Sequence, residues 1–349
     1  MMRYPTILAL FAALAAAVPT QAAVTRAAGH DDGPRAGWLD RYQESRQGPE
    51  QTERFAENYK IPADGSLDLN QISGNVRITV GKTNEIRVEA IKRVRHRDAD
   101  EAKRILAALR IEVNQTGGRV EIRTVYPRMS GRNISASVDY TITVPATAAV
   151  SLKTISGDVS VNGVRGEVRA ETVSGNVEVI ATPNLVLAKA VSGDVHARDI
   201  GAPVSLTLGT VSGNVTAMAL KVRALDAGTV SGNLQLSSLQ VERLTAKTVT
   251  GDIDFDGALT SGGRYEFNAH SGGIRLALAN ATGFELDAST FNGNIRSDFP
   301  ITLRSTTRDD DPRGRRSGMG NRAIRGTFGD GSAILAVRSF SGSVVISKK

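Results

Sequence analysis

The chain has no cysteine among its 349 residues. Disulfides, thiol catalysis, thiolate metal sites and a lipid-modified N-terminal cysteine are therefore excluded. Aromatic residues are also scarce, at 5% of the chain, whereas glycine is abundant, with 35 copies. A core with few rings and many small aliphatic side chains favours thin, regular layers over one bulky hydrophobic centre.

Beyond the N-terminus, the sequence has no apolar run that approaches the about 20 residues needed to span a bilayer. The apolar stretch at residues 6–18 is also shorter than that, follows Arg3, and precedes small residues suited to peptidase cleavage. Residues 1–23 are therefore predicted to be a secretory signal, with an uncleaved anchor as the alternative. We expect an exported chain, periplasmic or at the cell surface, with no transmembrane span in its mature form. The polar residues 24–60 are predicted to be a linker.

Acidic residues are fewer than basic ones, 36 against 43, which gives a formal net charge of +7. This sign favours acidic partners such as an anionic glycan or another component of the cell envelope, and a protein partner stays open. A nucleic-acid partner is not expected, because export is predicted and the interleaved aromatic residues of single-strand binders are missing.

An internal repeat dominates the sequence, with the consensus apolar-x-apolar-x-Thr-x-Ser-Gly-Asn/Asp-apolar-x-apolar. Copies lie at 67–78, 150–161, 168–179, 186–197, 206–217, 225–236, 244–255, 265–276, 286–297 and 335–346. From Gly157 to Gly293, the glycines recur every 18 to 21 residues. A period of this size is typical of one solenoid coil per repeat.

The pattern inside each repeat indicates how the coils are built. Apolar and polar residues alternate, which predicts strands with one buried face, and Ser-Gly-Asn/Asp predicts a turn between them. We therefore predict an all-β fold, a parallel β-solenoid or β-helix-like stack of coils of about 18–21 residues. An antiparallel sandwich of hairpins is disfavoured, because the unit keeps one direction and register. The final coil, 326–346, is expected to close the chain.

An excursion separates the first repeat from the main run. Residues 98–113 carry apolar side chains at helical spacing, with acidic residues in the first turn, and predict a helix. Strands are predicted near Arg119–Val125 and Ser137–Val144. We expect 61–149 to form an N-terminal coil plus a capping excursion with this one helix, because open strand edges need a cap. Residues 150–349 are then the repeat solenoid.

Asn and Asp after the repeat glycines form the most tempting candidate site. Stacked about 5 Å apart, they could hold cations or act as general acid and base. We favour a structural role in the turns, in which Asn rungs separate the acidic ones; cation binding stays open. The predicted structural turn column comprises Gly157, Asp158, Gly175, Asn176, Gly193, Asp194, Gly213, Asn214, Gly232, Asn233, Gly251 and Asp252.

A basic loop interrupts the last coils at 304–325. The arginines of this loop could bind phosphate or sulfate groups, with a merely solvated loop as the alternative. The possible anion-binding residues are Arg308, Arg313, Arg315 and Arg316. A second basic cluster at 92–97 has the same two interpretations.

Familiar catalytic patterns are missing from the sequence: it contains no HExxH, G-x-S-x-G, P-loop or dinucleotide fingerprint. No catalytic residue, metal ligand or cofactor is therefore predicted. His270 stands where earlier repeats have Val or Ile, and we interpret it as a terminal-coil substitution.

The signal, the early SGNV, the strand ending at Pro145 and the TxSGxV repeats together resemble the bacterial DUF4097 family, described as "putative adhesin". The resemblance covers residues 60–349 and implies an envelope-associated β-solenoid without catalytic residues. Our prediction is a non-catalytic exported binding scaffold. The alternatives are a polysaccharide-active β-helix enzyme, a lyase or hydrolase, and an accessory protein of envelope-stress signalling.

Overall fold

The structure is a computed structural model that describes residues 49–82, 84–127, 135–279, 282–303 and 322–349, apart from the side chains of 202–204. The predicted signal, most of the predicted linker and the four candidate arginines of the basic loop lie outside the described residues. The described part contains helix α1 and 26 strands.

The bounds of these elements follow the chain order. They are β1 Glu50–Lys60, β2 Ser66–Ser73, β3 Val76–Gly81, β4 Glu85–Arg95, α1 Ala99–Ala108, β5 Arg110–Thr116, β6 Arg119–Val125, β7 Ser135–Pro145, β8 Ala149–Ser156, β9 Val159–Asn162, β10 Val168–Ser174, β11 Val177–Ile180, β12 Leu185–Lys189, β13 Val195–Arg198, β14 Gly201–Gly209, β15 Val215–Met218, β16 Lys221–Ser231, β17 Leu234–Thr250, β18 Ile253–Gly257, β19 Arg264–Ser271, β20 Ile274–Leu278, β21 Phe284–Asn292, β22 Ile295–Ser297, β23 Thr302–Leu303, β24 Arg322–Phe328, β25 Ala333–Ser341 and β26 Val344–Lys348.

Each coil contributes one strand to each of two sheets, which join through the long strand β17. Sheet A runs β1-β4-β7-β3-β9-β11-β13-β15-β17-β18-β20-β26-β22. Sheet B runs β5-β6-β2-β8-β10-β12-β14-β16-β17-β19-β25-β21-β24-β23. The central pairs are parallel, and antiparallel pairs occur near the two ends, so the predicted β-solenoid is confirmed.

Like residues lie above like residues along the stack. In sheet A, Val159 pairs with Val177, which pairs with Val195, which in turn pairs with Val215. The sequence period is therefore a stacking period, as predicted. Each coil covers the apolar face of its neighbour, because a single coil cannot bury that face alone.

The core between the sheets changes along the chain. The N-terminal coils bury large side chains such as Tyr140 and Leu69, whereas the following coils are filled by small residues such as Val168 and Ala170, both fully buried. Toward the C-terminus, Phe255 and Phe267 meet edge to face, with ring centroids 5.4 Å apart. Larger side chains need a wider interior, and the glycine spacing rises from 18 to 21 residues along this direction.

The order of coils at the C-terminal end differs from the sequence order. Strand β25 lies between β19 and β21, and β26 lies between β20 and β22. The chain therefore passes over one position of the stack and then returns to fill it with its last coil. The stack order also differs from the chain order at the N-terminal end. There β6 and β7, which follow β2 and β3 in the chain, lie on the outer side of the coil that β2 and β3 form.

The predicted cap forms, with two corrections to its boundaries. Residues 50–60, assigned to the linker, form β1 and pair antiparallel with β4. The helix ends at Ala108 rather than at 113, because the chain enters β5 and pairs with β6. Helix α1 packs on β1 and β4 and buries Ala102, Ile105 and Leu106.

Asp98 begins this helix as its N-cap. Its carboxylate accepts the backbone N–H groups of Asp100 and Glu101 at 2.9 and 3.4 Å. These hydrogen bonds hold the pKa of Asp98 below its ordinary value. Among the described residues, no helix is long and apolar enough to cross a membrane.

Candidate functional site

The glycine of each turn allows the coils to approach closely. Gly175 has φ +137°, and a Cβ at this position would lie 2.2 Å from the carbonyl oxygen of Gly157 in the neighbouring coil. A side chain would therefore meet backbone, which cannot move aside without separating the coils.

The Asn/Asp column is tied to the backbone of the stack. Asp158 Oδ1 accepts the Asn176 N–H at 2.8 Å, and Asn176 Oδ1 accepts the Asp194 N–H at 2.8 Å. The same contact recurs at distances of 2.7–2.9 Å from Asp139 to Gly273, through Asn75, Asp158, Asn176, Asp194, Asn214, Asn233 and Asp252. One oxygen of every rung thus serves a neighbouring coil, which supports the structural interpretation.

Asp252, at the C-terminal end of the column, is also paired with a cation. Arg275 lies 3.1 Å from Asp252 and 3.0 Å from Asp254. The hydrogen bond to Asp254 is the main cause that raises the pKa of Arg275, with the charges of both carboxylates adding to it. In the described ranges, no group of three or more His, Asp or Glu residues is arranged to hold a metal ion.

The buried threonine of the repeat also bonds the stack. Thr229 Oγ1 donates to the Gly213 carbonyl oxygen at 2.9 Å, and Thr248 Oγ1 donates to that of Gly232 at 3.1 Å. The Ser residues bridge from coil to coil through their backbones, as at Ser212 and Ser231. Thr, Ser, Gly and Asn/Asp therefore each stabilise the stack. The residue between Thr and Ser also bonds the neighbouring coil through its backbone, as Val173 O does with the Ser192 N–H at 2.7 Å, but its side chain faces solvent.

That remaining position forms an apolar column on the outer face of sheet B. Its side chains point outward and, apart from the histidine, are 40–52% exposed. In stack order the apolar column comprises Ile72, Ile155, Val173, Val191, Val211, Val230, Val249, His270, Phe340 and Phe291. Ten rungs extend for about 40 Å at the spacing of neighbouring strands. Apolar patches of this length on a surface mark interaction sites.

None of the residues of this column is among the predicted site residues, although the sequence pattern that marks the column is visible. In the segment TVSG, alternation buries Thr172 and turns Val173 outward. A solvent-facing position that is apolar in nine of ten repeats contradicts the expected polar outer face. The repeat statistics drew attention to Gly and Asn/Asp, which the turn itself explains.

Aromatic rings complete the C-terminal end of the apolar column. The ring of Phe340 stacks on His270 with centroids 4.9 Å apart, and on Phe291 at 5.0 Å. The interpretation of His270 as a terminal-coil substitution is wrong, because the coils of Phe340 and Phe291 lie beyond it. The three rings form a continuous ladder instead.

A groove of about 520 Å³ runs beside this ladder. The rings and Val249 form one wall, and outward side chains two residues earlier in each strand form the other: Lys247, Asn268, Arg338 and Ser289. Within the described part of the chain, neither Lys247 nor Arg338 has an ion-pair or hydrogen-bond partner. The groove thus combines an apolar wall with two free cations.

The other predicted basic clusters are less available for binding an anion. Lys92 pairs with Glu53 at 2.9 Å, Arg95 pairs with Glu50 at 2.6 Å, and Arg93 contacts Asp139. Strand β1, which the sequence analysis missed, supplies the first two acids. The cluster at 92–97 therefore serves to hold β1 on β4. The candidates Arg308, Arg313, Arg315 and Arg316 lie outside the described residues.

The family model for the Toastrack domain, DUF4097, matches residues 64–330. The chain belongs to the DUF4097 family. This confirms the resemblance drawn from the repeats. No curated protein matches the chain in sequence.

Two solved structures are similar to this DUF4097 protein. One is a putative cell adhesion protein from Clostridium sporogenes ATCC 15579, with 11% identity and a TM-score of 0.24 over 86% of this chain and 100% of that chain. The other is a putative adhesin from Bacteroides fragilis NCTC 9343, with 13% identity and a TM-score of 0.38 over 85% of this chain and 97% of that chain.

Proposed function

We infer that this protein is an exported, non-catalytic, adhesin-like scaffold that binds through the outer face of sheet B. The observation that carries this inference is the apolar column. Its side chains are solvent-exposed in ten coils of the described chain and point away from the core between the sheets. A long, regular row of side chains suits an extended polymer or an elongated partner.

The absence of assembled acid–base chemistry in the turns supports a non-catalytic role. Asp158 and Asp194, the acids most suited to catalysis by position, each accept a backbone N–H from the next coil. A polysaccharide lyase or hydrolase needs two or three acidic groups, or acids with cations, converging on one cleft. The regular column spaces its acids along the stack instead.

The apolar column is tested with the isosteric substitutions V173T, V191T, V211T and V230T combined in the full chain. Threonine keeps the β-branched shape, so the fold is retained. Each hydroxyl desolvated on binding costs roughly 0.5–2 kcal/mol, so affinity should fall at least about tenfold. Binding to intact bacterial cells and to immobilised polysaccharides is the measurement.

The matched control alters equally exposed apolar residues on the opposite face, with V80T and M218Q in sheet A. The control should bind like the unsubstituted chain. Equal binding by both variants would refute a role for the apolar column. Release of new reducing or unsaturated sugar ends by the unsubstituted chain would refute the non-catalytic assignment.

A further inference from the structure

The groove beside the aromatic ladder has two chemically different walls. The rings of Phe340 and Phe291 are about half exposed on one wall, and the free cations of Lys247 and Arg338 project from the other. We propose that this groove binds a linear acidic polysaccharide, with carboxylates at the two cations and pyranose rings against the ladder. The proposal rests on the proposed function, because it assigns a ligand class to the same face of sheet B.

The two cations are placed along the groove rather than across it. Lys247 pairs in register with Asn268, and Asn268 pairs with Arg338. The cations are therefore two strand spacings apart, about 10 Å. A ligand that engages both must carry repeated negative charges along its length, as a polymer of acidic sugars does.

The acids near the groove are already engaged by other side chains. Glu266 accepts a hydrogen bond from Asn268 at 2.7 Å, and Asp287 pairs with Arg325 at 3.1 Å. The cation wall itself contains no carboxylate from Lys247 to Ser289. Among the earlier coils, Lys153, Glu171 and Lys189 follow one another at this wall position, so a carboxylate lies between the two lysines there. The lining of the groove therefore carries two positive charges and no carboxylate, which complements an anionic ligand.

The aromatic wall supplies the second half of the recognition. Five consecutive earlier coils carry Val at this rung, so the fold does not require rings there. Aromatic rings offer broad, rigid surface for the apolar C–H groups of a sugar ring. The Asn268 amide and the Ser289 hydroxyl add polar groups that can bond sugar hydroxyls.

The floor of the groove argues against an extended peptide as ligand. Strands β17, β19, β25 and β21 pair with neighbours on both sides. Their backbone groups are used inside the sheet, whereas an extended peptide gains its affinity from the free backbone of a sheet edge. Recognition here must come from side chains, which is how a glycan is bound.

The test compares polygalacturonate oligomers with the same oligomers fully methyl-esterified, titrated into the full chain by calorimetry. The charged oligomers should bind, more weakly as salt is raised, and the neutral esters should not. The double variant K247Q/R338Q should lose about tenfold or more in affinity, as expected for lost charge-assisted hydrogen bonds. The double variant F340V/F291V, which restores the side chain of earlier coils, should also bind more weakly.

The matched control is K153Q/K189Q, which removes two exposed lysines from the same wall position in coils without rings. It should bind the charged oligomers like the unsubstituted chain. Equal losses in both charge variants would overturn the proposal in favour of diffuse attraction. So would a dimer that F340V/F291V abolishes while no oligomer binds, or preferential binding of an acidic peptide.

The outcome separates this proposal from the broader one. The groove variants K247Q/R338Q and F340V/F291V could leave binding to cells and polysaccharides intact while the combined Val-to-Thr variant abolishes it. In that case the proposed scaffold function stands, and the assignment of an acidic glycan to this groove is wrong. If neither set changes binding, both proposals fail.

Discussion

A single methyl group added at the turn of one coil should destabilise the stack strongly. In Gly232→Ala, the new Cβ would lie 1.9 Å from the Gly213 carbonyl oxygen and 2.6 Å from its carbon. The backbone there has φ +151°, a conformation that L side chains rarely adopt. Both problems involve backbone, so no rotamer change relieves them.

The magnitude follows from what must move. A Cβ needs about 3 Å from an oxygen, so the two coils must separate by about 1 Å. Two hydrogen bonds span this point, Gly213 N–H to the Ser231 oxygen at 2.9 Å and Asn233 N–H to Asn214 Oδ1 at 2.9 Å. Their loss at about 1 kcal/mol each, with roughly 1–3 kcal/mol of backbone strain, gives a destabilisation of about 3–5 kcal/mol.

Gly228→Ala is the matched control, four residues earlier, in strand β16, which leads into this turn. A Cβ there would lie 3.7 Å from the Lys247 carbonyl oxygen, an ordinary contact, and its φ is not positive. We expect a change within about 1 kcal/mol, stabilising if anything. The free energy of unfolding is measured by urea titration with far-UV circular dichroism. Equal effects of the two alanines would refute the close-approach explanation of the repeat glycine.

Three further perturbations test the column, the coil order and the tyrosine of the first coils. Asp194→Asn should leave the free energy of unfolding nearly unchanged and Asp194→Ala should lower it by about 1 kcal/mol, because the turn needs only an acceptor for the Asn214 N–H. A chelator that lowers the melting temperature would contradict this structural role, because it would indicate a bound cation. Deleting residues 333–349 should remove more strand signal from the circular dichroism spectrum than those residues contribute, because β21 loses its parallel partner. Burial, partly offset by a hydrogen bond with Thr124, raises the pKa of Tyr140 above 10.0. The folded state thus favours the neutral phenol, and stability present below pH 10 should fall as pH rises further; Tyr140→Phe should flatten this slope in alkaline urea titrations.

The architecture could be predicted because the pattern inside the repeat determines the strand faces, the turns and the stacking period. Alternation around TVSGN fixes which residues face inward, and a constant direction with a turn glycine every 18–21 residues leaves a parallel stack as the simplest packing. The turn column was predictable for the same reason. Strand β1 was not, because ERFAENYK is polar and exposed. It forms by pairing with β4 and through the ion pairs of Glu50 and Glu53, which are tertiary contacts.

The apolar column could not be predicted, for a different reason. The residues that recur most strictly, Gly and Asn/Asp, are those that the stack itself demands. A binding surface must be sought in what the stack leaves free, and here that is the rung between Thr and Ser. This rung changes from Ile and Val to His and Phe along the stack, and the turn residues change in the same coils, to Ser-Gly-Gly, Ser-Gly-Ser and Asn-Gly-Asn. The exposure of apolar side chains at this rung, rather than their variation, is what distinguishes it.

The order of the terminal coils could not be derived from the repeats at all. Near-identical coils can stack on one another in any order, so local sequence does not say whether β25 follows β21 or precedes it. Strand β24 pairs antiparallel with β21 and covers its outer edge, and β23 pairs in turn with β24, so the last coil pairs with β21 on its inner side. The same logic holds at the other end, where β4 and β5 cover the outer edges of β7 and β6. In sheet A the described stack ends on β22, which pairs in parallel with β26. At the other three sheet ends, antiparallel strands of the chain itself cover the parallel edge, which would otherwise invite further pairing.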